Sequence, residues 1–252
     1  MASPHPSMTA HTASRLLPPT PGGPPSGERE LGLAGLPARA RELAARNGRV
    51  LLGITGPPGA GKSTLAHAIA AAVGDRARLV EMDGFHLAHS RLAELGLTSR
   101  KGAMDTFDAA GFLALIRRLR APDEHTIYAP RFRRELDEPV AGALPVEPHI
   151  PLVIVEGNYL LVPEEPWNEL RQLLDEVWYC ETDERLRVSN LIARHIAYGK
   201  SVDGARGWAL GPDQRNAELI FATRSRADLI ARMDGQLLHC PSPRRHPASG
   251  PS

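Results

Sequence analysis

A chain of 252 residues, 42% hydrophobic and 23% charged, can bury a large core, and its formal net charge of +1 gives no general pull toward nucleic acid or an acidic membrane. Two distant cysteines, Cys180 and Cys240, with no C-x-x-C and no Cys/His cluster at zinc spacing, exclude a disulfide framework and a zinc site and fit a reducing, cytoplasmic compartment. No apolar run approaches the roughly 18 to 20 residues that span a bilayer, so no membrane partner is expected.

Residues 1–28 are dominated by Pro, Ser, Gly and Thr, without the apolar core of a secretory signal, and read as a disordered tail. Residues 38–46 form an Ala/Arg-rich helical pattern that Asn47-Gly48 would end by tolerating positive φ. The run Arg49-Val-Leu-Leu-Gly-Ile-Thr55 is nearly unbroken in apolar residues, the pattern of a strand covered on both faces. Past a glycine-rich loop, Leu65, Ile69, Ala72 and Val73 share one face of a helix stopping at Gly74.

A second strand, residues 78–82, leads into Asp83-Gly-Phe-His86. Asp108 opens a helix with Phe112, Leu115, Ile116 and Leu119 at i, i+3, i+4 and i+7, which Pro122 ends. Ala129-Pro-Arg-Phe-Arg-Arg134 begins an irregular insert rich in Pro and charge. Residues 151–155 are another buried strand, running into Glu156-Gly-Asn-Tyr159; residues 166–174 read as a helix with Pro in its first turn, and 177–180 as a strand. A charged helix follows over 183–198, then a helix and strand over 213–230, and residues 241–252 form a second low-complexity tail. Strands alternating with helices predict an α/β fold, a mostly parallel five-stranded sheet covered by helices on both faces. No coiled-coil heptad or edge-strand signature stands out, and a homodimer is left open.

The loop Gly56-Pro57-Pro58-Gly59-Ala60-Gly61-Lys62-Ser63-Thr64 completes the pattern G-x-x-x-x-G-K-[ST] between strand and helix. Its glycines let backbone N–H groups turn toward phosphate oxygens, and the helix start adds its positive dipole end. Lys62 is placed for the β/γ-phosphates and the Ser63 hydroxyl for Mg²⁺. No N-K-x-D tetrad is present, so ATP is the expected nucleotide. Glu156, ending a strand, stands where a carboxylate is needed to support the metal or its water. Asp83 ends the second strand on the same sheet edge, as a proton acceptor for a hydroxyl or as part of an ordinary Asp-Gly turn.

The ordered set GPPGAGKST, MDGFH, RKGAMDTFD, EGNYLL and TRSRAD, spanning residues 49–232, resembles the family of phosphoribulokinase, uridine kinase and bacterial pantothenate kinase. It is most similar to the nucleoside/nucleotide kinase-like or fructose-transport-system kinase-like branch. The resemblance implies a P-loop NTPase fold with a helical lid, a kinase domain over 38–232, Asp83 as catalytic base and Glu156 as metal support. It also implies that the helix bearing Arg185, Arg187 and Arg194, with Tyr198-Gly-Lys-Ser201 after it, is the lid, with Arg187 and Arg194 as catalytic cations. Asp108 fits either this motif or a helix N-cap.

Where relatives carry an acidic residue after the Phe of P-x-F, here Phe132 is followed by Arg133 and Arg134. Arg131, Arg133 and Arg134 would recognise a substrate phosphate or carboxylate, or form a solvated run. His86 would hydrogen-bond a substrate hydroxyl or serve the fold, and Phe132 and Tyr159 would wall an acceptor pocket or join the core. Only three of the thirty Lys+Arg are lysine: Lys62, Lys101 and Lys200. The expected activity is transfer of phosphate from Mg-ATP to a small-molecule acceptor such as a nucleoside, a pantothenate-like acid or a sugar. The rival is a nucleotide-driven ATPase or regulator with no small acceptor.

Overall fold

The computed structural model describes residues 29–121 and 124–233. The tails expected at 1–28 and 241–252, Cys240 and the helix-ending Pro122 lie outside these residues.

In chain order the elements are β1 (Arg29–Gly32), α1 (Leu36–Ala44), β2 (Val50–Thr55), α2 (Lys62–Val73), β3 (Ala77–Glu81), α3 (His89–Glu94), α4 (Ala109–Arg120), β4 (Ile127–Arg133) and β5 (Glu138–Val146). They continue with β6 (Leu152–Glu156), α5 (Leu170–Leu173), β7 (Glu176–Glu181), α6 (Glu184–Ala197), α7 (Val202–Leu210), α8 (Pro212–Phe221) and β8 (Leu229–Arg232). The main sheet runs β1-β8-β7-β2-β6-β3 with every pairing parallel. The five expected strands are β2, β3, β6, β7 and β8, and β1 adds a sixth at the edge; its sequence, Arg-Glu-Leu-Gly, carries no apolar run to announce it.

The unbroken apolar runs are explained by burial on both faces. Along β2, Leu51 joins the core beneath α4, α5 and α8 with Phe112, Ile116, Trp167 and Ile220, whereas Val50, Leu52 and Ile54 join the core beneath α1 and α2 with Leu36, Leu43, Leu65 and Ile69. In β6, Val153 and Val155 face the first core, and Leu152 and Ile154 the second. Gly48 has φ +79 after α1, as expected of a helix-ending glycine. Asp108 is the N-cap of α4, its carboxylate accepting the Gly111 N–H at 2.9 Å.

Three expectations are corrected. The supposed irregular insert is an antiparallel hairpin, β4 on β5, with a register shift between Ala129 and Arg131. Pro130, Pro139 and Pro145 suit it because both strands of a two-stranded ribbon are edges, which do not need every N–H. The helix expected over 166–174 is a 3₁₀ turn, Trp167–Glu169, followed by the single turn of α5, with Leu174 already extended. Finally, the charged helix is followed by a separate α7, capped by Ser201, whose hydroxyl accepts the Gly204 N–H. No helix among the described residues is long and apolar enough to cross a membrane.

Candidate active site

The parallel register aligns three strand ends at one edge of the sheet: Glu156 of β6 lies opposite both Ile54 of β2 and Glu81 of β3. The loop from Gly56 to Thr64 leaves β2 at this edge and enters α2. Gly61 is the N-cap of α2 at φ +89 and offers no capping side chain, so the first N–H groups of the helix remain available to an anion. Gly59, at φ +83, lets the loop dock against α6; a Cβ there would lie 2.6 Å from the Arg187 carbonyl oxygen.

Lys62 is buried, and its ammonium donates to the Pro57 carbonyl at 3.1 Å. Burial pulls its pKa below the usual lysine range, opposed by the charge of Glu156. The Ser63 hydroxyl donates to Glu156 Oε1 at 3.3 Å. Glu156 is 4% exposed, and burial pushes its carboxyl up to about 7; Lys62 opposes that rise, and the neighbouring Asp83 and Glu81 add to it. A hydroxyl beside a desolvated carboxylate crowded by other acids is a hard-oxygen set that a divalent cation would relieve, so these residues fit Mg²⁺. Among the described residues no cluster of three or more His, Cys, Asp and Glu could hold a metal by itself. That agrees with the habit of Mg²⁺ of taking one or two protein ligands and completing its shell with phosphate and water.

Asp83 sits in a 3₁₀ turn, Met82–Phe85, directly after β3, with its side chain 45% exposed. The hairpin presses against this turn: a Cβ on Gly84 would lie 2.6 Å from the Pro130 carbonyl oxygen. His86 Nδ1 lies 3.0 Å from the Asp83 carbonyl oxygen and 3.9 Å from Asp83 Oδ1, with its ring 4.0 Å from Phe107 and 5.4 Å from Phe132. Burial holds the imidazole below its usual pKa, against the pull of Asp83. A neutral ring facing a carbonyl through Nδ1 carries its proton there and leaves a lone pair on Nε2.

One cavity of about 820 Å³ joins these groups, lined by Pro58, Lys62, Ser63, Asp83, His86, Phe132, Glu156 and Arg194 from the expected set. Of the residues expected to act in catalysis or to bind the acceptor, three are not in it. Arg187, expected as a catalytic cation, is fully buried; its guanidinium is bound to Glu184 at 2.6 and 2.7 Å, to the Pro58 carbonyl at 3.1 Å and to Gln214. It ties α6 and α8 to the phosphate loop. Arg133, expected to bind substrate, alternates to the outer side of β4 and lies 3.8 Å from Glu135, while its neighbour Arg134 lines the cavity. Tyr159, expected as a pocket wall, is a core residue with no exposed surface, packed on Phe107 and Trp167 and donating its hydroxyl to the Gly102 carbonyl.

The cavity also recruits residues that sequence reasoning left unassigned. Lys101, within the R-K-G-A-M-D motif, pairs with Asp137 at 3.1 Å, and His195 of α6 meets Asp213 of α8 at 2.7 Å. Trp208 of α7 and Lys200 line the cavity together with Arg194 and His195 of α6, so α6, the link after it and α7 contribute one part of its wall. Lys200 had a signal: with Lys62 and Lys101 it completes the set of lysines in the chain, and all three line this cavity.

A family model described as ATPase family associated with various cellular activities (AAA) matches residues 52–114, from β2 into α4. The "putative uridine kinase" of Schizosaccharomyces pombe is 34% identical over 170 residues, 64% of this chain and 72% of that protein. The ATP-dependent kinase-like protein notR' of Aspergillus versicolor is 34% identical over 152 residues, 57% of this chain and 88% of its own. Among solved structures, a "putative fructose transport system kinase" from Silicibacter sp. TM1040 superposes with a TM-score of 0.70 at 37% identity, covering 79% of this chain and 98% of that one. With a complete phosphate loop at the head of a parallel sheet and relatives of this kind across most of their lengths, the chain belongs to the uridine kinase-like family of P-loop kinases and is an ATP-dependent phosphotransferase.

Proposed function

We propose that this kinase transfers the γ-phosphoryl group of Mg-ATP to a hydroxyl of a small polar metabolite, such as a nucleoside, a pantothenate-like acid or a sugar, with Asp83 as the base. The observation that carries this reading is that Asp83, half exposed, opens into the same cavity as Lys62 and the Ser63–Glu156 pair. A protein that only hydrolysed ATP would need no such space beside the carboxylate. In the reaction, the acceptor oxygen forms a bond to the γ-phosphorus as the bond to the β-phosphate oxygen breaks; the hydroxyl proton passes to Asp83 and ADP leaves with the electron pair.

Lys62 and the open N–H groups of α2 hold the β/γ-phosphates, while Arg194, the lid arginine that lines the cavity, meets charge on the group in flight. Mg²⁺, held by Ser63 and supported by Glu156, would neutralise the phosphate oxygens. His86, fixed by the Asp83 carbonyl, and Phe132 position the acceptor, and α6 and α7 exclude water. The names of the relatives, a uridine kinase and a fructose transport system kinase, support a hydroxyl acceptor without choosing among them.

The test follows ADP release and product mass with a panel of nucleosides, sugars and pantothenate, for the wild type and Asp83→Asn. A compound that gains one phosphate only with the wild type supports the proposal. ATP hydrolysis that no acceptor stimulates, and that survives Asp83→Asn, would replace it with the nucleotide-switch reading.

A further inference from the structure

The cavity holds more positive charge than ATP chemistry uses. Lys62 and Arg194 are assigned to the transferred phosphates. Lys101 is committed to the Asp137 carboxylate at 3.1 Å and the Asp137 carbonyl at 3.0 Å. Apart from Asp83, assigned as the base, the cavity's acids also have partners: Asp137 meets His89 at 2.8 Å, Asp213 meets His195, and Glu156 meets Ser63. Two cations are left over, Arg134 and Lys200.

Among the described residues neither has a carboxylate partner. Each rests on an aromatic ring: the Arg134 guanidinium lies 5.4 Å from the centre of the Tyr198 ring, and Lys200 Nζ 4.3 Å from that of Trp208. Both rings line the cavity. A cation–π seat at an exposed site holds a side chain in place for only about 0.5–1 kcal/mol and satisfies none of its N–H donors, so the charge stays available to an anion. Arg134 comes from the turn that follows β4, and Lys200 from the link between α6 and α7. The hairpin and the lid therefore each contribute one cation to the acceptor's side of the cavity. Lysine is scarce in this chain, and a compact ammonium at Lys200 beside a forked guanidinium at Arg134 suits a phosphate or carboxylate group.

We infer that the acceptor is itself an anion, a hydroxyl compound bearing a phosphate or carboxylate group seated between Arg134 and Lys200, with its hydroxyl directed to Asp83. This rests on the kinase reading but selects within it, against neutral nucleosides and free sugars.

The experiment measures binding apart from chemistry. With the nucleotide site filled by a non-hydrolysable ATP analogue and Mg²⁺, the emission of Trp208 is titrated with matched pairs: fructose against its monophosphates, ribose against its monophosphate, and pantothenate against its alcohol analogue. Trp208→Phe identifies the contribution of that ring. The expected result is a saturable change with at least one anionic member and none with its neutral partner. Arg134→Gln and Lys200→Gln each weaken that binding about ten-fold or more, the range for a lost charge-assisted hydrogen bond. Arg133→Gln, at the end of β4 and outside the cavity lining, leaves it within about two-fold. Neutral members binding as tightly as their anionic partners, no anion registering at all, or affinity unmoved in both glutamine variants would overturn the inference. Phosphate transfer is scored separately with Mg-ATP, so anion binding without transfer would count against the kinase reading and not against the anion site.

Discussion

The Ser63 hydroxyl and Glu156 Oε1 lie 3.3 Å apart although 93 positions separate them in the chain. The contact exists because β2 and β6 are paired in parallel, which places the first turn of α2 beside the end of β6. In the proposed reaction both side chains would serve one nucleotide-bound metal. Glu156→Gln and Ser63→Ala should each lower the Mg²⁺-dependent turnover at least about 100-fold, the scale for removing a preorganised electrostatic group. Calorimetry should show tight binding of Mg-ATP reduced to the level of metal-free ATP, while circular dichroism stays that of the wild type. Metal dependence unchanged in both variants would remove Glu156 and Ser63 from the metal's neighbourhood.

The environment of Glu156 gives a pH dependence with a definite sign. Burial pushes its carboxyl up to about 7, so without metal the group carries a proton below that pH and loses it above. A metal requires the carboxylate, so protons and Mg²⁺ compete. Mg-ATP affinity should therefore weaken as pH falls from 8 to 6, by about ten-fold per unit once below 7, and binding near neutrality should release a proton. Calorimetric titrations in two buffers of different ionisation enthalpy measure that release. Glu156→Gln should abolish it and flatten the profile; a profile equally steep in Glu156→Gln would assign the proton elsewhere, and not to Lys62, whose lowered pKa would make phosphate binding take up a proton.

The phosphate loop, the five main strands and the capping role of Asp108 were legible in the sequence because each rests on short-range chemistry. Apolar runs mark doubly covered strands, a glycine pattern marks a loop that must bend, and an Asp marks a helix start. Asp83, His86 and Glu156 were legible for a related reason: strand ends in a parallel sheet gather at one edge. In the lid and hairpin, Arg194 and Phe132 were singled out and do line the cavity, but neighbouring cations could not be told apart. Arg133 and Arg134 are adjacent and chemically alike, and what separates them is that β4 ends at Arg133, while Arg134 belongs to the turn beyond it and reaches the cavity. Arg187 and Arg194 are seven positions apart on one helix, so periodicity puts them on nearly the same face; what separates them is that Arg187 meets Glu184, Gln214 and the Pro58 carbonyl first. No local pattern encodes partners supplied by three different segments.

Arg187 is accordingly placed to support the loop. Arg187→Met keeps an apolar stem of similar length and removes every polar contact, together with the guanidinium's place 5.6 Å from the centre of the Phe221 ring. Losing the bond to a buried loop carbonyl and the pair with Glu184 should destabilise the protein by about 2–4 kcal/mol, since one buried acceptor is left unpaired and a charged partner is lost. The Tm should fall by about 4–16 °C at roughly 2–4 °C per kcal/mol. The ATP KM should rise as the loop loosens, with kcat at saturating ATP within about five-fold of wild type. A fall in kcat of about 1,000-fold with unchanged Tm would instead make Arg187 a transition-state cation that swings inward when nucleotide binds.

Tyr159 offers the complementary test, because its motif suggests an acceptor wall and its burial denies it. The ring lies 5.8 Å from Phe107 and 5.4 Å from Trp167, and the hydroxyl donates to the Gly102 carbonyl, which also accepts from Asn216 Nδ2 at 3.2 Å. Gly102 has φ +98 and directly follows Lys101, so this shared acceptor anchors the segment that carries Lys101 into the cavity. Tyr159→Phe leaves the ring packing intact and removes one of two donors to the carbonyl. The cost should be about 1 kcal/mol and a Tm lower by about 2–4 °C, with kcat and the acceptor KM within about three-fold of wild type. Asn216→Ala, by itself, should behave the same way toward stability. The double variant should cost more than the sum of the two, because only then is the Gly102 carbonyl left without a donor. A Tyr159→Phe protein that kept its Tm and lost acceptor affinity about 100-fold would show the hydroxyl turning into the cavity during the reaction, and the core assignment would fall with it.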